Sequence, residues 1–504
     1  MGSLEPAPRL DRLESRVAGL DLVLGGGFFR SGVYIIQGHP GSGKTILANQ
    51  ICFARANEGE HSVYVTLLAE SHTRMLQHLR PMHFFDESVI PEHLSYISAF
   101  HDLETEGLRG LLTLSRREMR ARSAGVLVLD GLLSVTPTSV NALELKKFVH
   151  EMQTSAVFHG CTVFLLTSGK LDQVDPEHTV VDGLIELEER LWGVRAERSL
   201  QVRKFRGSSA LRGLHSFQIR DDGMTVFPRI EALFTEPPVA ASGEQVLSSG
   251  VMTLDRMIGQ GGLPRSGATV VVGSAGTGKT TFGLHFLSQS TIEEPGLFFG
   301  FFESPDRLRS RGPSLGIDIA GLEAQGALKL VWQPQGEHLL DELGHRLLTE
   351  VTNGGIKRLV IDGLASFFEA ALERERIGRF FSCLVNELRR RGVTLISTLE
   401  TRDAVGSVVP TPYGVSAIVD SLIFLRYADA AGELKRLVSI LKVRGSDFDP
   451  TVREMRIASA GIVIGRRFTM PDSIVPDAHP VVDGPEEVHN EGPSAQRGED
   501  ADST

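Results

Sequence analysis

Short apolar runs alternate with segments of helical periodicity along most of the chain, and the alternation occurs twice. Such runs are typical of buried β-strands when polar residues or glycines bound them. This pattern predicts, in each half, a mostly parallel sheet flanked by helices, with a ligand at the carboxyl ends of its strands. The predicted strands are Val33–Ile36, Val63–Leu67, Val126–Leu129 and Thr162–Thr167, then Thr269–Val272, Leu297–Phe302, Leu359–Ile361 and Thr394–Thr398.

Three landmarks recur at a nearly constant offset. The glycine-rich loop at 38–45 returns about 235 residues later, the strand ending at Asp130 about 232 later, and the Lys-x-Arg-Gly-Ser stretch at 204–208 about 238 later. These offsets indicate a tandem duplication of a domain of about 230 residues. We therefore predict a leader over 1–15, a first domain over 16–234, a linker over 235–245, a second domain over 246–468 and a disordered acidic tail over 469–504.

Each half contains the sequence Gly-x-x-x-x-Gly-Lys-Thr between a predicted strand and a predicted helix. Glycines let successive backbone N–H groups surround a polyphosphate, and the lysine reaches its terminal phosphates. The alternative, a glycine-rich turn with a surface lysine, does not explain the strand–loop–helix setting of both copies. We therefore predict two ATP sites, formed by Gly38, Gly41, Ser42, Gly43, Lys44 and Thr45, and by Gly273, Gly276, Thr277, Gly278, Lys279 and Thr280.

An acid closes a predicted apolar strand in each half, at Asp130 and at Asp362. In P-loop ATPases an acid at this position holds Mg²⁺ together with the loop threonine, here Thr45 or Thr280. A carboxylate that merely caps a strand is the alternative. The sequence thus predicts ATP and Mg²⁺ as cofactors.

Hydrolysis also needs a base that orients the attacking water. Glu70 and Glu303, each just after the second strand of its domain, are the candidates, although a polar strand end at the surface has the same appearance.

Two pairs of basic residues, Lys204 with Arg206 and Lys442 with Arg444, stand on predicted hairpin strands near the end of each copy. From such a peripheral position they reach a neighbouring subunit's nucleotide more easily than their own, where they would stabilise transition-state charge. A solvated basic strand is the alternative.

Charge and composition narrow the classes of partner. The net charge is −11, but nine acids and one base lie beyond Phe468, so the remainder is near −3. A nearly neutral body makes nucleic acid an unfavoured partner without excluding a local basic channel. The acidic tail has too little apolar content to fold alone and is a possible contact for a regulatory protein.

With three scattered cysteines and no apolar run long enough for a membrane span, we predict a cytoplasmic protein without disulfides.

The motifs together resemble the KaiC family of RecA-type ATPases. The likeness covers residues 16–468 and rests on the paired phosphate loops, the Leu-Asp approach before each, the Glu-Ser after the second strand and the repeated Lys-x-Arg-Gly-Ser. The resemblance implies two stacked rings of a homohexamer, ATP bound between subunits, slow hydrolysis and, in the clock protein, Ser/Thr autophosphorylation in the second ring. It makes Ser416 and Thr411 the candidate phosphorylation sites.

Two departures from the family pattern bear on activity. The paired glutamates of the family read Ala69-Glu70 and Phe302-Glu303 here, and one of two adjacent phosphate acceptors is replaced by Ala417. Both argue against a working circadian oscillator and leave ATP binding untouched. We expect a slow, ring-forming ATPase with Ser/Thr autokinase activity in ATP-dependent signalling or regulation. Two alternatives stay open: a RecA/RadA-like recombination or repair ATPase on single-stranded DNA, and a nucleotide-bound ring without turnover.

Overall fold

The computed structural model describes residues 11–67, 72–132, 142–168, 180–236, 245–334, 336–401, 412–430, 432–459 and 461–469. Within these residues the chain forms two α/β domains of the same design, which confirms the predicted fold class. The predicted acidic tail lies almost wholly outside the described residues. None of the described helices is both long and apolar enough to cross a membrane.

The first domain contains eleven strands and six α-helices among the described residues. Its strands are β1 (Arg12–Leu13), β2 (Phe28–Phe29), β3 (Val33–Gly38), β4 (Ser62–Thr66), β5 (Leu94–Ser98), β6 (Val126–Asp130), β7 (Thr162–Thr167), β8 (Gly183–Trp192), β9 (Arg195–Phe205), β10 (Leu214–Arg220) and β11 (Gly223–Phe227). Its helices are α1 (Leu20–Leu24), α2 (Lys44–Asn57), α3 (His72–Leu79), α4 (Phe100–Arg122), α5 (Ala142–His159) and α6 (Ile230–Leu233).

The second domain repeats this order, with eleven strands and eight α-helices among the described residues. Its strands are β12 (Val246–Leu247), β13 (Leu263–Pro264), β14 (Ala268–Gly273), β15 (Gly296–Gly300), β16 (Leu328–Trp332), β17 (Arg358–Asp362), β18 (Thr394–Glu400), β19 (Ser421–Ala430), β20 (Glu433–Val443), β21 (Arg453–Ala458) and β22 (Gly461–Arg467). Its helices are α7 (Met252–Met257), α8 (Lys279–Leu287), α9 (Pro305–Arg311), α10 (Ile319–Ala324), α11 (Leu340–Asn353), α12 (Ala365–Ala370), α13 (Arg376–Arg390) and α14 (Val415–Ile418).

Each domain is built on a nine-stranded sheet, as far as the described residues show. The first has the strand order β11-β10-β9-β8-β3-β7-β6-β4-β5 and the second β16-β15-β17-β18-β14-β19-β20-β21-β22. In the first sheet six neighbouring strands run parallel: β8, β3, β7, β6, β4 and β5. In the second sheet the parallel strands are β16, β15, β17, β18, β14 and β19. The remaining three strands of each sheet are antiparallel. The phosphate-loop strands β3 and β14 lie inside the parallel part, so both loops emerge at the carboxyl edge of a sheet.

Both faces of the parallel strands are buried, which explains their nearly continuous apolar sequences. Along β3, Tyr34 and Ile36 pack on the same side as α2, while Val33 and Ile35 pack on the opposite side with the residues of α4 and α5. Side chains alternate between the faces of a strand, so a run without polar residues supplies two hydrophobic cores at once. The sheet is thereby held rigidly beneath the loop that follows β3.

Two features at the domain ends differ from the sequence-based boundaries. Strand β1 pairs with β2 and Leu13 is fully buried, so the end of the predicted leader belongs to the first domain. Helix α6, close to the predicted linker, packs against α11 and α13 of the second domain, and its Ile230 is part of that domain's core. The first domain therefore ends in a segment that is anchored in the second.

Candidate nucleotide-binding sites

Each phosphate loop joins a central parallel strand to a helix that begins at the motif lysine. Gly43 and Gly278, directly before those helices, have φ of 99° and 106°, in the left-handed region that favours glycine. A Cβ on Gly43 would lie 2.6 Å from Cδ1 of Ile219, and one on Gly278 would lie 2.8 Å from Cδ1 of Ile457. Glycine is thus required at these positions, both by the left-handed backbone and by the lack of room for a Cβ atom. Without side chains there, the backbone of the loop can wrap closely around an anion.

In the first domain the loop faces a cleft of about 480 Å³. Nζ of Lys44 donates hydrogen bonds to the backbone carbonyls of Gly38 and His39, at 2.7 and 2.9 Å. Burial lowers the pKa of Lys44. Oγ1 of Thr45 donates to Oδ2 of Asp130 at 3.1 Å. The three side chains that the sequence assigned to phosphate and magnesium therefore meet in one cleft.

Tyr64 also orients Asp130, because its hydroxyl donates to Oδ2 of that carboxylate at 2.7 Å. Burial, and then the neighbouring Asp130, raise the pKa of Tyr64 well above its ordinary value, so the hydroxyl keeps its proton. The sequence analysis missed Tyr64. Its contact with Asp130 depends on the pairing of β4 with β6, in which Tyr64 lies opposite Val128, so no signal in the sequence marks it.

The second cleft, of about 780 Å³, has the same constellation. Nζ of Lys279 donates to the carbonyl of Ser274 at 2.8 Å, and Oγ1 of Thr280 donates to Oδ2 of Asp362 at 2.9 Å. Burial raises the pKa of Asp362, while hydrogen bonds from Thr398 and Thr280 oppose that rise. Both clefts lie within the range of about 300–1,000 Å³ that is usual for small-molecule sites.

The residues present fit Mg²⁺ bound to a nucleotide. A threonine hydroxyl and an aspartate oxygen converge in each cleft, and Mg²⁺ prefers one or two such protein ligands beside phosphate oxygens and water. In addition, the buried hydroxyls of Ser42 and Ser274 have no hydrogen-bond partner among the described residues. Thr45 with Asp130, and Thr280 with Asp362, are the groups that would hold the ion, which would then screen the phosphate charge.

Glu303 lies at the second cleft, as its position after β15 predicts. Its Oε1 accepts from Nη1 of Arg311 at 3.0 Å, while Nη2 of the same guanidinium donates to Oγ1 of Thr281 at 2.7 Å. Thr281 is fully buried in the first turn of α8, so Arg311 ties the carboxylate to the phosphate-loop helix. Glu70, the corresponding candidate of the first domain, lies outside the described residues.

The basic pairs lie away from the loops of their own domains. Strand β19 runs parallel to β14, with Ser421 opposite Thr269 and Leu425 opposite Gly273. Lys442 pairs with Leu422 and is therefore at the amino edge of the sheet, opposite to the phosphate loop. Lys204 also lies at the amino edge of its sheet, because it pairs with Leu184, whereas Gly38 of the phosphate loop pairs with Leu187. Arg206 and Arg444 directly follow the ends of β9 and β20.

Ser416 also lies at this amino edge, in the short helix α14 that precedes β19. Nζ of Lys442 donates to the carbonyls of Ser416 and Val419 at 2.6 and 2.8 Å, and Nη2 of Arg444 donates to that of Ala417 at 2.9 Å. The basic pair thus holds the C-terminal carbonyls of α14. Thr411, the other candidate, lies outside the described residues.

Three further cleft residues escaped the sequence analysis. Thr398 donates to Oδ1 of Asp362 at 2.7 Å and accepts from the backbone N–H of Gly363. Arg436 donates to the carbonyl of Gly276 at 3.2 Å, and its guanidinium lies over the ring of Tyr427. Glu400 forms an ion pair with Lys279. Thr398 and Glu400 come from β18 and Arg436 from β20, and only the strand order brings them to the cleft.

Comparison with known proteins agrees with this geometry. The family model described as "ATPase: KaiC" matches residues 13–231 and again 247–468. The chain belongs to the KaiC ATPase family. The resemblance drawn from the motifs is therefore confirmed.

Curated KaiC relatives align with nearly the whole chain. The circadian clock oscillator protein KaiC of Picosynechococcus sp. is 25% identical over 92% of both chains. That of Synechococcus elongatus is 26% identical over 92% of this chain and 91% of its own. The circadian clock protein KaiC3 of Synechocystis sp. is 25% identical over 91% of this chain and 92% of its own. Both domains thus have counterparts in each of these relatives.

Proposed function

We propose that the protein is a ring-forming regulatory ATPase that binds Mg·ATP in both clefts and hydrolyses it slowly. One observation carries the proposal: in the second cleft a phosphate-loop lysine, a hydroxyl–carboxylate pair and the tethered Glu303 converge on one space. Membership of the KaiC ATPase family supports ATP as the nucleotide. The slow rate follows from the replacement of the first acid of each glutamate pair by Ala69 or Phe302.

In this proposal Glu303 accepts the proton of the attacking water. Arg311 engages Oε1 of its carboxylate, which leaves Oε2 to take up the proton. A tethered carboxylate is well suited to this role, because general-base catalysis depends on position as well as on basicity. Glu70 has the same role in the first domain, and the protein's slow turnover is the sum of the two clefts.

The test is phosphate release by the double variant Glu70→Gln/Glu303→Gln. The amide keeps the shape of the side chain but takes up no proton, so hydrolysis should fall by about 10²- to 10⁴-fold while Mg·ATP still binds. Glu323→Gln, which removes a surface acid paired with Arg309, is the matched control and should keep the wild-type rate. An unaltered rate in the double variant would show that neither glutamate is the base.

Assembly into a homohexamer is part of the proposal. Lys204, Arg206, Lys442 and Arg444 stand at the sheet edge opposite to their own phosphate loops, a position suited to a neighbouring subunit's nucleotide. ATP should therefore promote hexamers, and light scattering at micromolar protein with saturating Mg·ATP measures this. A monomer under these conditions would contradict the assembly.

The proposal includes autophosphorylation of Ser416 in trans. Ser416 lies at the edge of the sheet away from its own phosphate loop, so a phosphate donor would have to come from a neighbouring subunit. Phosphate on Ser416 or Thr411 after incubation with Mg·ATP, detected by mass spectrometry and lost in Glu303→Gln, is the expected result. Among the described residues nothing favours the alternative of a DNA recombination ATPase.

A further inference from the structure

A hydrogen-bonded threonine–histidine pair lines the first cleft. Oγ1 of Thr66, at the end of β4, lies 2.8 Å from Nε2 of His72, the first residue of α3, and both side chains face the cleft. Strand β4 pairs with β6 so that Thr66 lies opposite Asp130, the residue assigned to the metal ion. In the second domain Gly300 occupies this position opposite Asp362 and has no side chain. The pair is therefore particular to the first cleft, as far as the described residues show.

The surroundings of His72 decide which partner donates the hydrogen bond. Burial lowers the pKa of His72, and a hydrogen bond with the backbone of Ile97 on β5 opposes that fall. A backbone group that favours the protonated ring is a carbonyl, which only accepts, so the ring nitrogen facing it carries a hydrogen. In the neutral ring Nε2 is then an acceptor without a hydrogen. Thr66 consequently donates its hydroxyl hydrogen to His72.

This direction leaves the oxygen of Thr66 as an acceptor towards the cleft. A hydroxyl has one hydrogen and two lone pairs, and here the hydrogen is already committed to His72. We propose that Thr66, whose hydroxyl His72 orients, accepts a hydrogen bond from the attacking water and so positions that water for hydrolysis in the first cleft. The second hydrogen of the water remains for Glu70, the proposed base. This inference rests on the proposed hydrolysis of ATP in the first cleft and identifies residues that position its water.

Protonation of His72 reverses the hydrogen bond. A protonated ring donates from both nitrogens, so Thr66 then accepts from Nε2 and turns its own hydrogen towards the cleft. The water meets a donor where it needs an acceptor, and the rate should fall as pH falls through the folded pKa of His72. The other ionisable groups at this cleft are Tyr96 of β5, whose ring centroid lies 6.0 Å from that of His72, and Lys44, Asp130 and His78.

The experiment measures phosphate release by the full chain carrying Lys279→Ala, which leaves only the first phosphate loop intact. In this parent, His72→Phe and Thr66→Val should each slow release at least about tenfold, because catalysis depends steeply on the placement of the reacting water. Mg·ATP affinity, measured by equilibrium dialysis, should stay within about twofold, since neither side chain belongs to the phosphate loop. Thr66→Ser keeps the hydroxyl and should keep the rate. His78→Phe, a histidine of the same helix and cleft, is the matched control.

The pH profile distinguishes positioning of the water from a purely structural role. Between about pH 7.5 and 5.5 the rate of the parent should fall, and the fall should be much smaller in Thr66→Val and in His72→Phe. A hydrogen bond that only fixed the start of α3 would not link the pH dependence to Thr66.

The outcomes separate this inference from the function on which it rests. If Thr66→Val and His72→Phe keep the rate and pH profile of the parent, the inference is wrong and the proposed hydrolysis stands. If the parent itself releases no phosphate, both fail. Equal losses in His78→Phe, weaker Mg·ATP binding that accounts for the lost rate, or an unchanged pH dependence in the slowed variants would also overturn the inference.

Discussion

Replacement of Arg376 by methionine should destabilise the junction between the domains. Nε of Arg376 donates to Glu231 of the first domain at 2.8 Å, and Nη2 lies 2.9 Å from Oδ2 of Asp341. Asp341 in turn accepts from the backbone N–H of Ile230, the first residue of α6. Methionine fills similar space without a charge. Among the described residues, the variant therefore leaves the buried Asp341 without its cation and leaves Glu231 with only Arg229, at 3.8 Å.

The magnitude follows from burial. The Asp341 side chain is 1% exposed, and burial raises its pKa to about 6 even though Arg376 lowers it. Removing one partner of such a buried ion pair typically costs about 3–5 kcal/mol. By contrast Arg390 pairs with Glu236, which is 79% exposed, and a pair of that kind contributes about 0–1 kcal/mol. Arg390→Met is therefore the matched control at the same junction.

The expected pH dependence sharpens the prediction. Without Arg376 the pKa of Asp341 rises further above its unfolded value, so the folded variant binds a proton that the unfolded chain lacks. The contribution of Asp341 to the variant's stability is then greatest at low pH and is lost as pH rises through the folded pKa. The deficit relative to wild type should be largest at pH 7–8 and smaller near pH 5.

Urea unfolding followed by tryptophan fluorescence is the assay. The chain has two tryptophans, Trp192 in the first domain and Trp332 in the second, and replacing one by phenylalanine isolates the signal of the other domain. A loss of about 3 kcal/mol in the transition reported by Trp332, with Arg390→Met close to wild type, is the expected result. A loss for Arg376→Met no larger than that for Arg390→Met would refute the reasoning.

Three other predictions follow from the clefts and the first domain's core. Thr398→Val removes a hydrogen bond to Asp362, so half-maximal ATP binding should need about tenfold more Mg²⁺; an unchanged requirement would contradict this. Arg311→Met frees Glu303, so phosphate release should slow at least about tenfold with little change in ATP affinity; an unaltered rate would show that the tether is unnecessary. Burial lowers the pKa of His215 to about 4, so the unfolded chain takes up this proton first as pH falls below about 6.5. Wild type should lose up to about 3 kcal/mol between pH 6.5 and 4, measured by urea unfolding, and His215→Gln should lose less; equal losses would exclude this histidine.

The parts of each site that the sequence predicted are local in the chain. A phosphate loop needs only its own glycines, lysine and threonine between a strand and a helix, and Asp362 is marked by the apolar strand that it ends. The residues that were missed act across strands. Thr398 reaches Asp362 because β18 lies beside β17, and no spacing in the sequence encodes that contact before the strand order is known. Arg311 is an exception, because it reaches Glu303 from the far end of the short helix α9.

Two strands that the sequence analysis did not predict, β5 and β16, were missed for a related reason. Strands β5 and β16 form the outer edge of the parallel part in each sheet, and their side chains are only partly buried. In Leu328–Trp332 only Leu328 and Val331 are buried, and Lys329 interrupts the apolar sequence, so no continuous apolar run marks the strand. The leader was overestimated for a similar reason, since β1 has only two residues and its burial depends on pairing with β2.

The number of nucleotides bound per chain tests the central claim most directly. Equilibrium dialysis with saturating Mg·ATP should give about two per wild-type chain, about one each for Lys44→Ala and Lys279→Ala, and none for the double variant, because each substitution removes the cation that binds the terminal phosphates. Unchanged stoichiometry in both single variants would contradict the account of two phosphate-binding clefts.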